Sequence, residues 1–126
     1  DYVEMCWKVL QHKKGDDFII ATEKQYSVKF FLQKCFDYLG IDIIWKGKGY
    51  NEKAIIKNFD PKKYPKLKKD SVIVKVDKKY FRPNEVDNLI GNSSKAKKIL
   101  KWSPKTSILE LIKEMMDHDL NFYKKN

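Results

Sequence analysis

The chain has 126 residues, enough for one domain, and its hydrophobic content of 42%, with three Trp, seven Tyr and seven Phe, can form a packed core. The formal net charge of +10 suggests an anionic partner such as a nucleotide, a nucleic acid or a membrane surface, although charge does not determine fold. No apolar run approaches the roughly 20 residues of a membrane-spanning helix, which excludes that class of protein.

The first half of the chain predicts two helices and two strands. Apolar residues recur at helical spacing over residues 1–12, and the apolar run at residues 17–21 is expected to be a buried strand. Ser27 is placed to cap a second helix that Gly40 ends, because a serine hydroxyl accepts an amide hydrogen bond and glycine adopts a left-handed conformation easily. A strand follows at residues 41–45.

The second half begins with the least ordered-looking stretch, residues 47–70. Its prolines and lysines exclude a regular element over residues 61–69, and we interpret residues 50–70 as a Lys-rich surface insertion. A strand at residues 72–76, a short helix capped by Ser93 or Ser94 and a last helix at about 107–122 complete the pattern. The predicted fold class is therefore α/β, a small sheet with flanking helices.

Two cysteines, Cys6 and Cys35, lie far apart on predicted helices among apolar neighbours. This pattern is typical of buried free thiols in a reducing compartment. Together with the absence of a recognisable signal peptide, it leads us to expect a cytoplasmic protein without a membrane partner. Because the chain begins inside an apparent helix without an initiator Met, we also expect it to be a fragment of a larger protein.

A search for catalytic and ligand-binding motifs excludes most of them. There is no metal-ligand spacing, and Gly47-Lys48-Gly49 lacks the third glycine and the following helix of a dinucleotide site. Tyr64 and Lys68 have the spacing of a Tyr-x-x-x-Lys catalytic pair, but Pro65 argues against the helix that this pair requires. We therefore predict no catalytic, cofactor-binding or metal-binding residue in this chain.

The single arginine, Arg82, is the strongest candidate for a binding residue. All other basic residues apart from the two histidines are lysines, so a retained guanidinium suggests a need for its planar fork, which grips phosphate through two hydrogen bonds. Glu85 follows three residues later and could accept hydrogen bonds from ribose hydroxyls. Taken alone, a structural ion pair between Arg82 and Glu85 is equally plausible.

A series of phrases along nearly the whole chain points to a known family. The phrases are Asp1-Tyr2-Val3-Glu4 with Trp7, Phe18-Ile19-Ile20-Ala21-Thr22, Ser27-Val28, Trp45-Lys46-Gly47-Lys48-Gly49, Tyr80-Phe81-Arg82-Pro83-Asn84-Glu85-Val86-Asp87, Gly91-Asn92, Lys95-Ala96 and Leu100-Lys101-Trp102-Ser103-Pro104. In order and spacing, apart from one insertion, they resemble the GDP-mannose 4,6-dehydratases, a family of extended short-chain dehydrogenase/reductases. Glu23 and Lys29 depart from the pattern, since the family usually has Gly and Arg there.

The resemblance implies an NADP-dependent enzyme that converts GDP-mannose to GDP-4-keto-6-deoxymannose for GDP-fucose synthesis, typically as a dimer or tetramer. It also implies that this chain is only the C-terminal, nucleotide-sugar-binding portion. The Rossmann domain, with the NADP site and the catalytic groups, would precede it, and residues 17–21 would form a strand at the edge of that domain's sheet. Arg82 would hold the pyrophosphate of GDP, and Glu85 would accept from the ribose hydroxyls.

Two alternatives stay open. The chain could be the C-terminal portion of another extended reductase, such as a nucleotide-sugar epimerase or reductase. It could also be a basic module that binds nucleic acid through residues 61–69. In that case the affinity for nucleic acid would fall steeply with salt concentration and would not change in Arg82→Ala. Because that loop lacks interleaved aromatic residues, we expect no nucleic-acid partner.

Overall fold

The computed structural model describes residues 1–82 and 88–125. In this part of the chain four α-helices and three strands confirm the α/β class. In chain order they are α1 (Tyr2–Leu10), α2 (Val28–Leu39), β1 (Asp42–Lys46), β2 (Lys53–Asn58), β3 (Val72–Lys75), α3 (Ser94–Leu100) and α4 (Ile108–Lys125). The chain divides into two compact units, Asp1–Tyr26 with Val86–Leu111, and Ser27–Glu85 with Ile112–Asn126.

The second unit is built on a three-stranded antiparallel sheet in the order β1-β2-β3. Ile43 of β1 pairs with Ile56 of β2, and both side chains are buried. Ile41 and Ala54 complete this core, and Phe36 of α2 packs against it. The helix therefore covers one face of the sheet, as the α/β prediction requires.

The ends of α2 follow the local signals in the sequence. The Ser27 hydroxyl accepts a hydrogen bond from the Phe30 amide at 3.0 Å, which satisfies one of the free amides at the helix start. Gly40 ends the helix with φ of +72°, a left-handed conformation that costs glycine little. Both predicted signals are confirmed.

The interpretation of residues 50–70 as a surface insertion is wrong for β2, which is the central strand of the sheet. Its buried residues, Ala54 and Ile56, alternate with Lys53 and Lys57 on the other side. Because a strand places alternate side chains on opposite faces, Lys53 and Lys57 lie on one face of β2 while Ala54 and Ile56 are buried on the other. The segment after β2 forms turns without a helix or strand, as predicted, yet Tyr64 and Leu67 pack against the core.

The first unit has its own core, in which Met5 of α1, Ala96 of α3 and Trp102 are buried together. The Trp102 indole donates a hydrogen bond to the Asp1 carbonyl oxygen at 3.2 Å. Residues 17–21 form no strand here, although Phe18 and Ile20 pack against this core. A strand needs a hydrogen-bonded neighbour, so the predicted pairing of this segment with a sheet outside the chain stays a prediction.

The prediction that both thiols are buried is wrong for Cys6, which is exposed on α1. Cys35 is half-buried on α2, where desolvation raises the pKa of its thiol. Helical spacing predicts which residues share the apolar face of a helix. It does not predict which of them are buried by other parts of the protein. None of the helices in the described ranges is long and apolar enough to cross a bilayer.

Candidate functional site

Arg82 lies at the end of the segment that leads out of β3. The Val76 amide donates to the Glu52 carbonyl oxygen at 3.2 Å, which continues the contact between β2 and β3 beyond the strand. Asp77 then caps a single 3-10 turn, Lys78–Tyr80, by accepting from the Lys79 amide at 2.9 Å. This turn lies between the end of β3 and Arg82.

The Arg82 side chain is exposed, and no hydrogen bond or ion pair holds it within the described residues. Glu85, its predicted partner in ligand binding, lies outside the described residues. The roles of Arg82 and Glu85 in ligand binding, and the alternative of an ion pair between them, stay predictions.

A shallow cleft of about 180 Å³ lies on the same unit, lined by Tyr50, Lys78 and Phe81. The Tyr50 and Phe81 rings meet edge to face with centroids 5.8 Å apart, and the Lys78 ammonium lies 5.0 Å from the Tyr50 ring centroid. Phe81 directly precedes Arg82. Aromatic faces beside a cation can hold a planar or anionic group, so this segment offers apolar and charged contacts side by side.

Lys29, where the family pattern usually has Arg, is engaged with residues of its own unit. Its ammonium lies 2.6 Å from a Glu52 carboxylate oxygen and 5.1 Å from the ring centroid of Trp45. The Trp45 indole donates in turn to the Gln33 side chain at 3.0 Å. These contacts tie the start of α2 to the sheet and give Lys29 a structural role.

The Gly47-Lys48-Gly49 segment does not form a phosphate cradle. A three-residue 3-10 helix, Gly49–Asn51, follows it instead of the long helix whose amino end binds a dinucleotide. Gly47 has φ of +85°, and a Cβ there would lie 2.3 Å from the Asn51 carbonyl oxygen. The space beside the Gly47 Cα is thus filled by the chain's own backbone.

The other motifs considered in the sequence do not form a reactive site. The Tyr64 hydroxyl donates to the Leu39 carbonyl oxygen at 2.9 Å, and Tyr64 and Lys68 lie outside any helix. Among the described residues no three His, Cys, Asp or Glu side chains come together in a way that could hold a metal ion.

A family model described as GDP-mannose 4,6 dehydratase matches residues 1–115. The chain belongs to the GDP-mannose 4,6-dehydratase family. A GDP-mannose 4,6 dehydratase of Dictyostelium discoideum is 44% identical over 124 residues, which cover 98% of this chain and 32% of that protein. A GDP-mannose 4,6-dehydratase of Vibrio cholerae is 42% identical, covering 95% of this chain and 32% of the relative. The human GDP-mannose 4,6 dehydratase is 40% identical, covering 100% of this chain and 31% of its own length.

The chain spans about a third of the length of these members of the family. The match crosses both compact units and includes the Arg82 segment. About two thirds of the length of these relatives therefore lies outside the stretch that matches this chain.

Proposed function

We propose that this chain is the substrate-binding portion of an NADP-dependent GDP-mannose 4,6-dehydratase, a member of the extended short-chain dehydrogenase/reductases. The observation that carries the proposal is the match of residues 1–115 to that family, with about 40% identity to several proteins of that name. The reaction would remove water from GDP-mannose and form GDP-4-keto-6-deoxymannose, a precursor for GDP-fucose.

Within this function Arg82 would bind the diphosphate of GDP-mannose. The exposure of Arg82 supports the role, because an exposed guanidinium can be reached by a phosphate group. Glu85 would accept hydrogen bonds from the ribose hydroxyls. Both contacts would supply binding energy and orient the sugar, without moving a proton or a hydride.

The glycine turn at Gly47 does not have the geometry of a dinucleotide site. The glycine turn at Gly47 is closed by the carbonyl of Asn51, and a long helix does not follow it. The proposal therefore assigns the cofactor and the catalytic groups to the part of the enzyme outside this chain. A cytoplasmic location and a homodimer or homotetramer belong to the same proposal; the two unpaired cysteines support the location.

The test is turnover of GDP-mannose by the complete protein that contains this chain, followed by mass spectrometry of the nucleotide sugar. We expect the complete protein with NADP to release a product lighter by one water, and the 126-residue chain alone to be inactive. A product of unchanged mass would favour a nucleotide-sugar epimerase and reject the dehydratase. Turnover by the chain alone would show that catalytic groups lie within it.

A further inference from the structure

Three lysines stand in register across the sheet of the second unit. Lys46 of β1 pairs with Lys53 of β2, and Lys53 pairs with Lys75 of β3. All three residues are exposed. Residues directly opposite each other on neighbouring strands point to the same side of a sheet, so the three side chains share one face. Neighbouring strands lie about 4.8 Å apart, so these residues, which we call the lysine row, span roughly 10 Å.

The lysine row lies on the face of the sheet that points away from the core. In β2, Ala54 and Ile56 are buried in the core against which α2 packs. Lys53 and Ile55 alternate with them and therefore point to the other side. Ile55 pairs with Ile44 of β1, and both are half-buried. The face thus offers a row of positive charges beside a pair of apolar side chains.

This arrangement of charges is unfavourable for the sheet itself, because like charges directly opposite each other destabilise a strand pair. The carboxylate of Asp70 accepts a hydrogen bond from Lys57, which lies on the same face as Lys53, at 2.7 Å. That hydrogen bond lowers the pKa of Asp70, and the charges of Lys69 and Lys46 lower it further. One carboxylate therefore lies in the field of several ammonium groups, and the face keeps a positive charge.

The positive charge of the chain is concentrated in the segment that contains the three strands. Residues 41–80 carry 12 lysines and five acidic residues, a formal net charge of +7 out of +10 for the whole chain. A surface of one sign attracts and orients a partner of the opposite sign. Charge complementarity therefore points to an acidic partner for this face.

The dimensions of the lysine row fit an acidic helix. Carboxylates at positions i, i+4 and i+7 lie on one side of a helix and span about 10.5 Å, which is close to the length of the row. Single-stranded nucleic acid fits less well, because its bases stack on aromatic side chains. The aromatic residue of the three strands, Trp45, points to the opposite face, where its indole donates to Gln33 of α2.

We propose that the lysine row is a docking surface for an acidic helical segment of a partner protein. Carboxylates on one side of that helix face Lys46, Lys53 and Lys75, and apolar side chains next to them contact Ile44 and Ile55. The docking does not depend on the turnover of GDP-mannose, so a failure of either proposal leaves the other intact.

The test compares two labelled peptides of about 18 residues, long enough for an alanine-rich helix to form. One carries glutamates at i, i+4, i+7 and i+11 on one side of the helix, and the other has the same composition with the glutamates distributed around it. Binding to the complete protein is measured by fluorescence anisotropy at about 0.15 M salt. We expect the one-sided peptide to bind at least about fivefold more tightly, a difference on the scale of an exposed ion pair.

Substitutions at the centre of the row separate its charge from its place in the fold. Lys53→Gln should weaken binding of the one-sided peptide about fivefold and raise the midpoint of urea unfolding, because it removes two like-charge neighbours. Lys53→Arg keeps the charge and should bind within about twofold of the parent. Lys66→Gln, in the exposed loop, removes the same charge outside the row and should leave both the affinity and the midpoint unchanged.

Equal affinities for the two peptides would overturn the proposal, since only general attraction would then be at work. Equal losses in Lys53→Gln and Lys66→Gln would overturn it for the same reason. Absence of binding by both peptides would show that the row is covered in the complete protein and would also reject the proposal. Tighter, Lys53-dependent binding of a single-stranded oligonucleotide of the same charge, or of phosphatidylserine vesicles, would assign the row to nucleic acid or to a membrane instead.

Discussion

The Glu23 carboxylate accepts hydrogen bonds from both the backbone amide and the hydroxyl of Ser93, at 2.9 and 3.0 Å. Ser93 is completely buried, while Glu23 has φ of +59°, a left-handed conformation uncommon for a residue with a long side chain. Lys97 of α3 donates to the other carboxylate oxygen. These contacts hold the segment around Glu23 against the start of α3, and they explain how a glutamate is accommodated where the family pattern usually has glycine.

The Ser93 hydroxyl should contribute measurably to stability. Ser93→Ala removes one buried hydrogen bond, and we expect the free energy of unfolding to fall by about 0.5–1.5 kcal/mol in urea denaturation. Ser94→Ala is the matched control, because Ser94 is exposed on the first turn of α3, and it should change stability by less than about 0.5 kcal/mol. Equal effects of the two substitutions would show that the bond to Glu23 is not stabilising.

The Glu23 contacts should also make stability depend on pH. Hydrogen bonds from the Lys97 side chain, followed by those from the Ser93 side chain and amide, lower the pKa of Glu23 below its ordinary value of 4.5. The folded state thus favours the carboxylate, so its contribution is fully present above about pH 4.5 and is lost as the pH falls through the lowered folded-state pKa. Glu23→Gln should be less stable than the parent near neutral pH, and the difference in urea midpoint should shrink on acidification. A difference that stays constant across this range would contradict the assignment.

Trp102 should be the most sensitive position in the first unit. It is 2% exposed and packs against Met5 and Ala96, so Trp102→Ala leaves a large cavity and should cost about 3–5 kcal/mol of unfolding free energy. Trp102→Phe keeps much of the packing but loses the donor to Asp1, and should cost less. The two variants can be compared by thermal or urea unfolding. Similar losses of unfolding free energy would mean that packing is not the main contribution of Trp102 to stability.

The central strand can be tested through two isoleucines on its opposite faces. Ile56 is 1% exposed in the core, and Ile56→Ala should cost about 2–5 kcal/mol. Ile55 is only half-buried, so Ile55→Ala should cost clearly less. If both substitutions had the small effect of a surface change, residues 53–58 would be the insertion first predicted from the sequence.

Arg82 can be tested by a substitution that keeps its charge. In the complete protein, Arg82→Lys should weaken binding of GDP-mannose by roughly 1–3 kcal/mol in calorimetry, because an ammonium cannot form the paired hydrogen bonds of a guanidinium. Lys66→Gln removes a charge from the lysine-rich loop and should leave the affinity unchanged. An unchanged affinity in Arg82→Lys would make Arg82 structural. A loss in Lys66→Gln that grows at low salt would instead indicate general attraction to the loop.

The sequence predicts helices best where a local signal marks their ends. Ser27 and Gly40 fix α2 because the hydrogen bonds and the left-handed turn involve residues only a few positions apart. It fails at β2, where Lys53 and Lys57 suggested solvent exposure although they lie on the face opposite the buried residues. The candidate site was predicted as Arg82 with Glu85, but the aromatic pair of Tyr50 and Phe81 was missed, because these residues are 31 positions apart.

By itself the sequence determined the family, the α/β class and the unusual single arginine, since these depend on residue identity and order. Only the tertiary structure decided which side of each apolar stripe is covered, leaving Cys6 exposed and Met5 buried on the same helix. It also decided that the Ser93 hydroxyl bonds to Glu23, 70 positions away, instead of capping the helix that it precedes. The physical reason is that local hydrogen bonds are encoded by neighbouring residues, whereas burial and long-range pairing depend on which distant segments fold against each other.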